Sequence, residues 1–281
     1  YWQASLIQIM QAFATDPRVQ DIAREAVRSK ESIVRASACR ILEFSPDNGP
    51  WLEPMLQDPV KEVRMAAAWA RRTRLSERSE ILKELKETII FTADQPAGAM
   101  RMAQLESEAG RLQEAEKWVK KAMALDQTSA SAFEYYAILL GQMGKPAEAL
   151  VQLKSAAQLD PANPRYPYLQ ALTHAELGQT DKTETMLRKV IETAPRHERA
   201  HYNLGLLLAG KNKLDEAIRS LRIAQQINPQ EAAYPYARAT IHLRKGDKIE
   251  AFEACRDCLG IDRNYQPAMQ LLRQIGNPNK P

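Results

Sequence analysis

The fold is decided by residues 200–218, which read AHYNLGLLLAGKNKLDEAI. Apolar residues at helical spacing (Leu204, Leu207 and Leu208) are followed by the polar residue Asn212 and then by a second helical stretch. Asparagine tolerates the left-handed backbone that ends a helix better than most residues other than glycine. The segment therefore predicts two helices joined by a tight turn.

The same pattern recurs every 34 residues in both directions, and three ladders of equivalent residues keep this step. A turn ladder and two ladders of small residues are present: Gly110, Gly144, Gly178, Asn212 and Gly246; Ala103, Ala137, Ala171, Gly205 and Ala239; and Ala115, Ala149, Thr183, Ala217 and Ala251. Small residues at fixed positions predict close crossing of paired helices, because larger side chains would separate the backbones. Pro161, Pro195 and Pro229 stand where the second helix of a unit has ended.

A helical hairpin of 34 residues with these landmarks resembles the tetratricopeptide repeat (TPR). In the register of that family, five units run over 96–129, 130–163, 164–197, 198–231 and 232–265, followed by a capping helix and tail over 266–281. The resemblance implies an all-α fold, a right-handed α-α superhelix (solenoid) of five hairpins and a capping helix. The first unit departs from the family pattern, since Ala99 stands where an aromatic residue is usual.

Residues 1–95 do not keep the 34-residue step. They contain a different echo, in which Val34-Arg35 and Val63-Arg64 lie 29 residues apart. This echo resembles HEAT-like repeats, so the resemblance implies an N-terminal HEAT-like helical array that continues into the TPR units. Asp58 followed by Pro59 predicts the cap and first turn of a helix in the second copy.

Length and composition limit the possible functions. The chain has 281 residues and a formal net charge of +4, which is too small an excess to indicate nucleic-acid binding. Its three cysteines are too few for a disulfide framework, and no apolar run is long enough to predict a membrane span. The sequence begins at Tyr1 without methionine or a signal peptide, which predicts a processed chain or a piece of a larger protein and leaves the compartment open.

Residues 197–201 spell H-E-x-x-H, a pattern in which two histidines on one helix face bind zinc and the glutamate acts as a general base. In the repeat register, however, His197 falls in the turn before a helix and His201 takes a position that packs inside the hairpin. No motif supplies a third ligand. The sequence therefore favours structural roles, with a zinc hydrolase through His197, Glu198 and His201 as a third hypothesis.

Other reactive residue types also favour structural roles. Residues 255–258 spell C-x-x-C, but Leu259 follows where haem attachment requires histidine. These cysteines and Cys39 fall at apolar helix positions, which predicts buried and unreactive thiols. His174 and His242 occupy one register position two units apart, which predicts hydrogen-bonded core histidines.

The basic run over 71–74, together with Arg64 and Arg78, is the main positive cluster. HEAT-like arrays can present such a face to phosphates. Nearby carboxylates favour a salt-bridged surface instead; they are Glu77, Glu80 and Glu84. The sequence shows no Gly-rich phosphate loop, no Ser/His/Asp set and no carboxylate pair held on a common wall. The sequence therefore predicts no nucleic-acid partner, no cofactor, no metal and no catalysis.

In TPR proteins the first helix of each unit lines a concave groove, and the resemblance implies the same role for recurring positions here. The residues so placed are Glu134, Arg165, Tyr168, Leu172, Arg199, Tyr202, Asn203, Leu206, Tyr236, Thr240 and Arg244. Tyrosine and arginine are enriched at binding hot spots, and Asn203 stands where family members bond a ligand's backbone. The alternative interpretation is that each tyrosine packs against the next unit. The family's charged clamp for a C-terminal carboxylate is absent, since Leu172, Ala233 and Ala237 stand near Asn203.

Two functional hypotheses follow. The first is a non-catalytic protein-interaction module that holds a peptide or protein segment in the concave TPR groove, with self-association left open. The second is a structural or docking arm of a larger protein. A similar HEAT-plus-TPR combination occurs in some bacterial multihaem proteins, and that resemblance implies a soluble bacterial protein, periplasmic if the parent is exported, although no haem motif is present in this sequence.

Overall fold

A computed structural model describes residues 2–276, and this part of the chain is all α-helical with no β-strand. The chain divides into two compact units, residues 1–128 (unit 1) and residues 129–281 (unit 2). The predicted tail over 277–281 lies outside the described residues. The predicted change of repeat type at residue 95 stays a prediction; a helix begins at Pro96, and the hairpin that follows it belongs to unit 1.

Unit 1 is built from eight helices within its described residues, joined by irregular turns that include three short 3₁₀ segments. The helices are α1 (Trp2–Met10), α2 (Pro17–Ala26), α3 (Ser32–Leu42), α4 (Gly49–Leu52), α5 (Lys61–Arg71), α6 (Glu80–Phe91), α7 (Pro96–Glu108) and α8 (Leu112–Leu125). Buried residues of α3, α5, α6 and α7 share one hydrophobic core. Consecutive helices therefore form a single layered stack.

The two arginines of the 29-residue echo make equivalent contacts. Arg35 donates from Nη1 to the carbonyls of residues 29 and 30, and Arg64 donates from Nη1 to the carbonyls of residues 58 and 59. Each guanidinium also pairs with a carboxylate further along the chain, Arg35 with Asp58 and Arg64 with Glu84, both at 2.7 Å. The echo is therefore a structural repeat, in which an arginine binds the turn before its own helix and a carboxylate of the following segment.

The expectation that Asp58 and Pro59 open a helix is wrong. Helix α5 begins at Lys61, and Val60 occupies the cap position. Asp58 accepts a hydrogen bond from the Val60 amide at 2.9 Å, and its buried carboxylate pairs with Arg35. The Arg35 guanidinium holds the pKa of Asp58 below its usual range. An Asp-Pro pair predicted a cap because the sequence alone does not show a partner 23 residues away.

Unit 2 consists of four helical hairpins and a terminal helix. Its helices are α9 (Ala130–Gln142), α10 (Pro146–Leu159), α11 (Arg165–Glu176), α12 (Thr180–Thr193), α13 (Glu198–Gly210), α14 (Leu214–Ile227), α15 (Ala233–Lys245), α16 (Lys248–Ile261) and α17 (Gln266–Ile275). Helices of one hairpin pack on each other, and each hairpin packs on the next. The predicted hairpins and solenoid of helical repeats are confirmed, and α17 packs against α16 in the predicted capping position.

The turn ladder and a small-residue ladder have visible causes. Asn212 has φ 60°, and the equivalent Gly178 has φ 68°, so the turn requires the left-handed region at both. Where α13 crosses α14, a Cβ atom added to Gly205 would lie 2.7 Å from Cγ of the fully buried Leu221. Only glycine fits at that crossing without displacing its neighbour.

The first helices of unit 2 alternate in character. Two inward positions of each first helix can be compared: they are apolar in α9 and α13 and polar in α11 and α15. In chain order the pairs are Tyr136 and Leu140, Gln170 and His174, Leu204 and Leu208, and Arg238 and His242. The polar pairs have partners: His174 contacts Gln179 at 2.8 Å, and Arg238 donates to Gln225 at 2.7 Å. Burial lowers the pKa of Arg238. The prediction of hydrogen-bonded core histidines is therefore confirmed.

Candidate functional site

The three predicted groove tyrosines lie in the first turns of successive first helices and are half-buried. Each ring packs on an aromatic ring of the following segment in a tilted arrangement, with interplanar angles of 40° to 52°. Tyr168 stacks on His197 with the ring centroids 4.6 Å apart, Tyr202 on Tyr234 at 5.1 Å, and Tyr236 on Tyr265 at 5.3 Å. Part of each tyrosine is therefore used in joining neighbouring repeats, as the alternative interpretation held.

Tyr168 is tied to the next first helix by its hydroxyl group as well. Asn203 Nδ2 donates a hydrogen bond to the Tyr168 hydroxyl at 3.1 Å. Burial raises the pKa of Tyr168, and the bond from Asn203 opposes that rise. The amide predicted to bond a ligand's backbone therefore already has one N–H committed within the array.

Three of the predicted charged residues are also committed within unit 2. Arg165 forms an ion pair with Glu134. Both residues were predicted as separate contacts of the groove. Arg244 donates to the carbonyl of Ala209 at 2.7 Å and to the side chain of Asn212 at 3.0 Å. These contacts join first helices of adjacent hairpins and hold the turn residue Asn212 in place.

The remaining predicted residues are more open. Leu172 and Leu206 are 40% and 42% exposed, and Arg199 makes no hydrogen bond or ion pair within residues 2–276. Thr240 donates its hydroxyl to the Ala237 carbonyl at 2.7 Å. Leu172 also borders a cleft of about 170 Å³ between α9, α10 and α11, opposite Ile138.

Sequence analysis missed several residues of this surface. Ile138 is 40% exposed and lies one repeat before Leu172, so the 34-residue step from Leu172 would have identified it. Tyr234 and Tyr265, the stacking partners, were also missed. The signal for Tyr234 was present in the repeated Tyr-Pro-Tyr segments over 166–168 and 234–236, whereas no pattern marked Tyr265.

Both histidines of the H-E-x-x-H pattern have partners within the protein. His197 caps α13, where its Nδ1 accepts a hydrogen bond from the Ala200 amide at 3.2 Å. His201 is buried, and its Nε2 lies 2.9 Å from the Pro195 carbonyl. Among the residues that the structure describes, no group of three or more His, Cys, Asp or Glu side chains is placed to hold a metal ion. Both histidines have structural roles, as their register predicted.

The cysteines are buried and free, as predicted. Burial raises the pKa of Cys255 and of Cys258 to about 11, and that of Cys39 to about 12. A thiol with so high a pKa is almost entirely protonated near neutral pH and is a poor nucleophile. The C-x-x-C segment therefore contributes packing.

Arg71 and Arg72 of the basic run form salt bridges with partners other than those expected, whereas Arg64 pairs with one of the expected glutamates. Arg72 pairs with Glu43 and Glu108, both at 2.6 Å, and Arg71 pairs with Glu53. Of the three expected glutamates, Glu84 pairs with Arg64, whereas Glu77 contacts Lys86 and Arg111, outside the run. No helix within the described residues is long and apolar enough to cross a membrane.

Family models match much of unit 2. Tetratricopeptide-repeat models match residues 168–232 and 236–265, and a model described as "Anaphase-promoting complex, cyclosome, subunit 3" matches residues 108–190. Cell division cycle protein 27 homolog A of Arabidopsis thaliana is 30% identical over 95 residues, which is 34% of this chain and 13% of that protein. Anaphase-promoting complex subunit 3 of Schizosaccharomyces pombe is 31% identical over 108 residues, 38% of this chain and 16% of that protein. The chain thus spans less than a fifth of the curated relatives it matches.

Solved structures show the same fold. YrrB, described as a TPR protein with an unusual peptide-binding site, has a TM-score of 0.54 and 20% identity, covering 66% of this chain and 96% of its own. MamA from Desulfovibrio magneticus RS-1 has a TM-score of 0.55 and 21% identity, covering 60% of this chain and 96% of its own. At such identity the likeness concerns the fold alone.

Proposed function

The chain contains tetratricopeptide repeats, and on that premise we propose that unit 2 is a non-catalytic module that binds a peptide or protein segment along its first helices. TPR proteins act generally as interaction scaffolds, and the relative YrrB is described as having a peptide-binding site. The occupant is an extended peptide or a helix, held mainly by apolar contacts.

The observation that supports this proposal most is a row of exposed aliphatic side chains. Ile138, Leu172 and Leu206 lie 34 residues apart on successive first helices, and each exposes 40–42% of its surface. Isolated exposed leucines are ordinary, but three aliphatic side chains at one register position of successive first helices offer a row that one elongated partner can cover. Covering such a surface with a partner lowers the free energy, because apolar area is removed from water.

The predicted tyrosines have a supporting role in this proposal. Tyr168, Tyr202 and Tyr236 contact the following segment, so they help to fix the spacing of the first helices; Tyr168 and Tyr202 lie one helical turn before Leu172 and Leu206. Arg199 is the charged group free to meet a carboxylate or a carbonyl of the bound segment. The other predicted charged residues act within the array.

A random peptide display library, selected on the immobilised full chain, tests the proposal. We expect enriched peptides to bind the wild-type chain at least about tenfold more tightly than a Leu172→Ser/Leu206→Ser variant, because a lost apolar contact costs about 1 kcal/mol or more. Both leucines are partly exposed, so we expect thermal unfolding to change little.

A Val151→Ser/Ile223→Ser variant is the matched control, since these side chains are 58% and 39% exposed on second helices. It should bind the selected peptides as the wild type does. Equal binding to all three proteins, or a selection without enrichment, would contradict the proposal. The docking-arm hypothesis and self-association remain predictions that this experiment does not address.

A further inference from the structure

Unit 1 contains a cleft of about 620 Å³ that plays no part in the proposed function of unit 2. Its apolar lining comes from the turn after α3 and from α5 and α6, and includes Phe44, Met65, Trp69 and Ile89. Phe44 is 57% exposed. This volume lies within the range of sites that bind ligands or partner side chains.

The rim of the cleft is charged, and most of its charges are already paired. Arg40 forms an ion pair with Glu62 at 3.0 Å. Glu43 pairs at 2.6 Å with Arg72, whose guanidinium also lies 4.3 Å from the centre of the Trp69 ring. These pairs neutralise both carboxylates that line the cleft.

Two cations of the rim have no ion pair within residues 2–276. Lys61 is exposed. The pKa of Glu84 is lowered mainly by hydrogen bonding to Arg64 and less by the charge of Lys61, and the ion pair of Glu84 is with Arg64. Arg101 is exposed, and its guanidinium lies 5.6 Å from the centre of the Trp69 ring. The charge available to a partner at this cleft is therefore positive.

The spacing of these groups indicates an elongated occupant. Lys61 is the first residue of α5, and Trp69, which Arg101 approaches, follows two helical turns later. At 1.5 Å per residue the two positions are about 12 Å apart along the helix axis. A compact small molecule does not reach from Lys61 to Arg101, whereas two turns of a helix from a partner protein do.

We propose that this cleft binds an acidic amphipathic helix of a partner protein. Apolar side chains of the partner pack on Phe44, Met65 and Trp69, and carboxylates at the two ends of its apolar stretch meet Lys61 and Arg101. Aromatic and methionine side chains suit such a site, because they offer large and adaptable contact surfaces. The cleft lies in unit 1 and shares no residue with the exposed row of unit 2, so the two proposals stand independently.

Two dye-labelled synthetic peptides with one shared apolar face test this proposal by fluorescence anisotropy with the full chain. One peptide has glutamates flanking the apolar face, and the other has lysines at the same positions. We expect the acidic peptide to bind roughly tenfold more tightly than the basic one, and a Lys61→Glu/Arg101→Glu variant to abolish or reverse that preference.

Because the chain has a net charge of +4, a control with the same charge change is required. Lys154→Glu/Arg219→Glu replaces two exposed cations of unit 2 and should leave the preference intact. Phe44→Ser should weaken both peptides, whereas Phe91→Ser, at a residue 87% exposed outside the cleft lining, should weaken neither. Equal binding of the two peptides, no saturable binding, or equal effects of the variants and their controls would each overturn the proposal.

Discussion

The two units join successive helices by different interactions. In the repeated part of unit 1 the recurring residues are arginines, and Arg35 and Arg64 each bind a preceding turn and a later carboxylate. In unit 2 the recurring residues are small or aromatic: Gly205 lets the two helices of one hairpin cross closely, and rings such as Tyr168 contact a ring of the following segment, beside single ion pairs such as that of Arg165 with Glu134. The first kind of joint depends on charge pairing and the second on shape.

The difference explains why the two units have different regularity. Ion pairs tolerate irregular turns, because a long and flexible arginine side chain can bind a carboxylate several ångströms from its own backbone. A joint based on shape works only if the same small residue returns at the same position, because a shift of one residue would turn the contact face away. A fixed step therefore appears from residue 96 onward, and a loose echo appears in residues 1–95.

The largest expected effect comes from breaking the charged joint. Arg35→Met leaves the carboxylate of Asp58, whose side chain is 5% exposed, without its partner. We expect the free energy of unfolding of unit 1 to fall by about 3 kcal/mol. Urea denaturation followed by circular dichroism, with hydrogen exchange to locate the change, measures this.

A double variant and an exposed pair serve as controls for that experiment. Arg35→Met/Asp58→Asn removes the unpaired charge and should recover part of the lost stability. Arg18→Met, at a side chain 89% exposed in its pair with Asp16, should change little. Equal losses for Arg35→Met and Arg18→Met would show that unit 1 does not depend on its buried ion pair.

A smaller effect is expected from crowding the shape-based joint. Gly205→Ala places a methyl group 2.7 Å from Leu221 Cγ, and the buried leucine has little room to move. We expect unit 2 to lose about 1–3 kcal/mol of stability in the same urea titration. Gly141→Ala is the control, because a Cβ there meets no atom within 4 Å and should be neutral or stabilising. Equal losses of stability in Gly205→Ala and Gly141→Ala would mean that the crossing of α13 and α14 does not require a small residue.

The smallest expected effect concerns the polar part of an aromatic joint. Tyr168→Phe keeps the stacking on His197 but removes the hydroxyl that accepts a hydrogen bond from Asn203. We expect a loss of about 0.5–1.5 kcal/mol. Tyr202→Phe keeps the stacking on Tyr234 and should change less, since the Tyr202 hydroxyl makes no hydrogen bond within residues 2–276. A larger loss of stability for Tyr202→Phe than for Tyr168→Phe would contradict this prediction.

Sequence periodicity was enough to predict the helical hairpins, their turns and the structural roles of the histidines and cysteines. These features depend on local backbone conformation and on which face of a helix is apolar, and both are visible in residue spacing. The turn at Asn212 was predicted because only a few residue types tolerate its positive φ.

Side-chain pairing across repeats was not predictable in the same way. Asn203 was assigned to a ligand, and Asp58 to a helix cap, but each binds a residue of another repeat or helix. Such bonds depend on the rotamers of long side chains and on distances between helices, which spacing along the chain does not give. The predicted set of groove residues therefore combines positions that join repeats, such as Arg165 and Arg244, with exposed ones, such as Leu172 and Leu206.

The alternation of apolar and polar first helices has a consequence for how this array can change in length. The pairs Gln170 with His174 and Arg238 with His242 lie two hairpins apart, at a separation of 68 residues. Duplication or loss of one hairpin would bring two helices of the same type together, with polar side chains facing neighbours fitted to the other type. We therefore expect loss of one hairpin to disturb the packing of first helices more than loss of two.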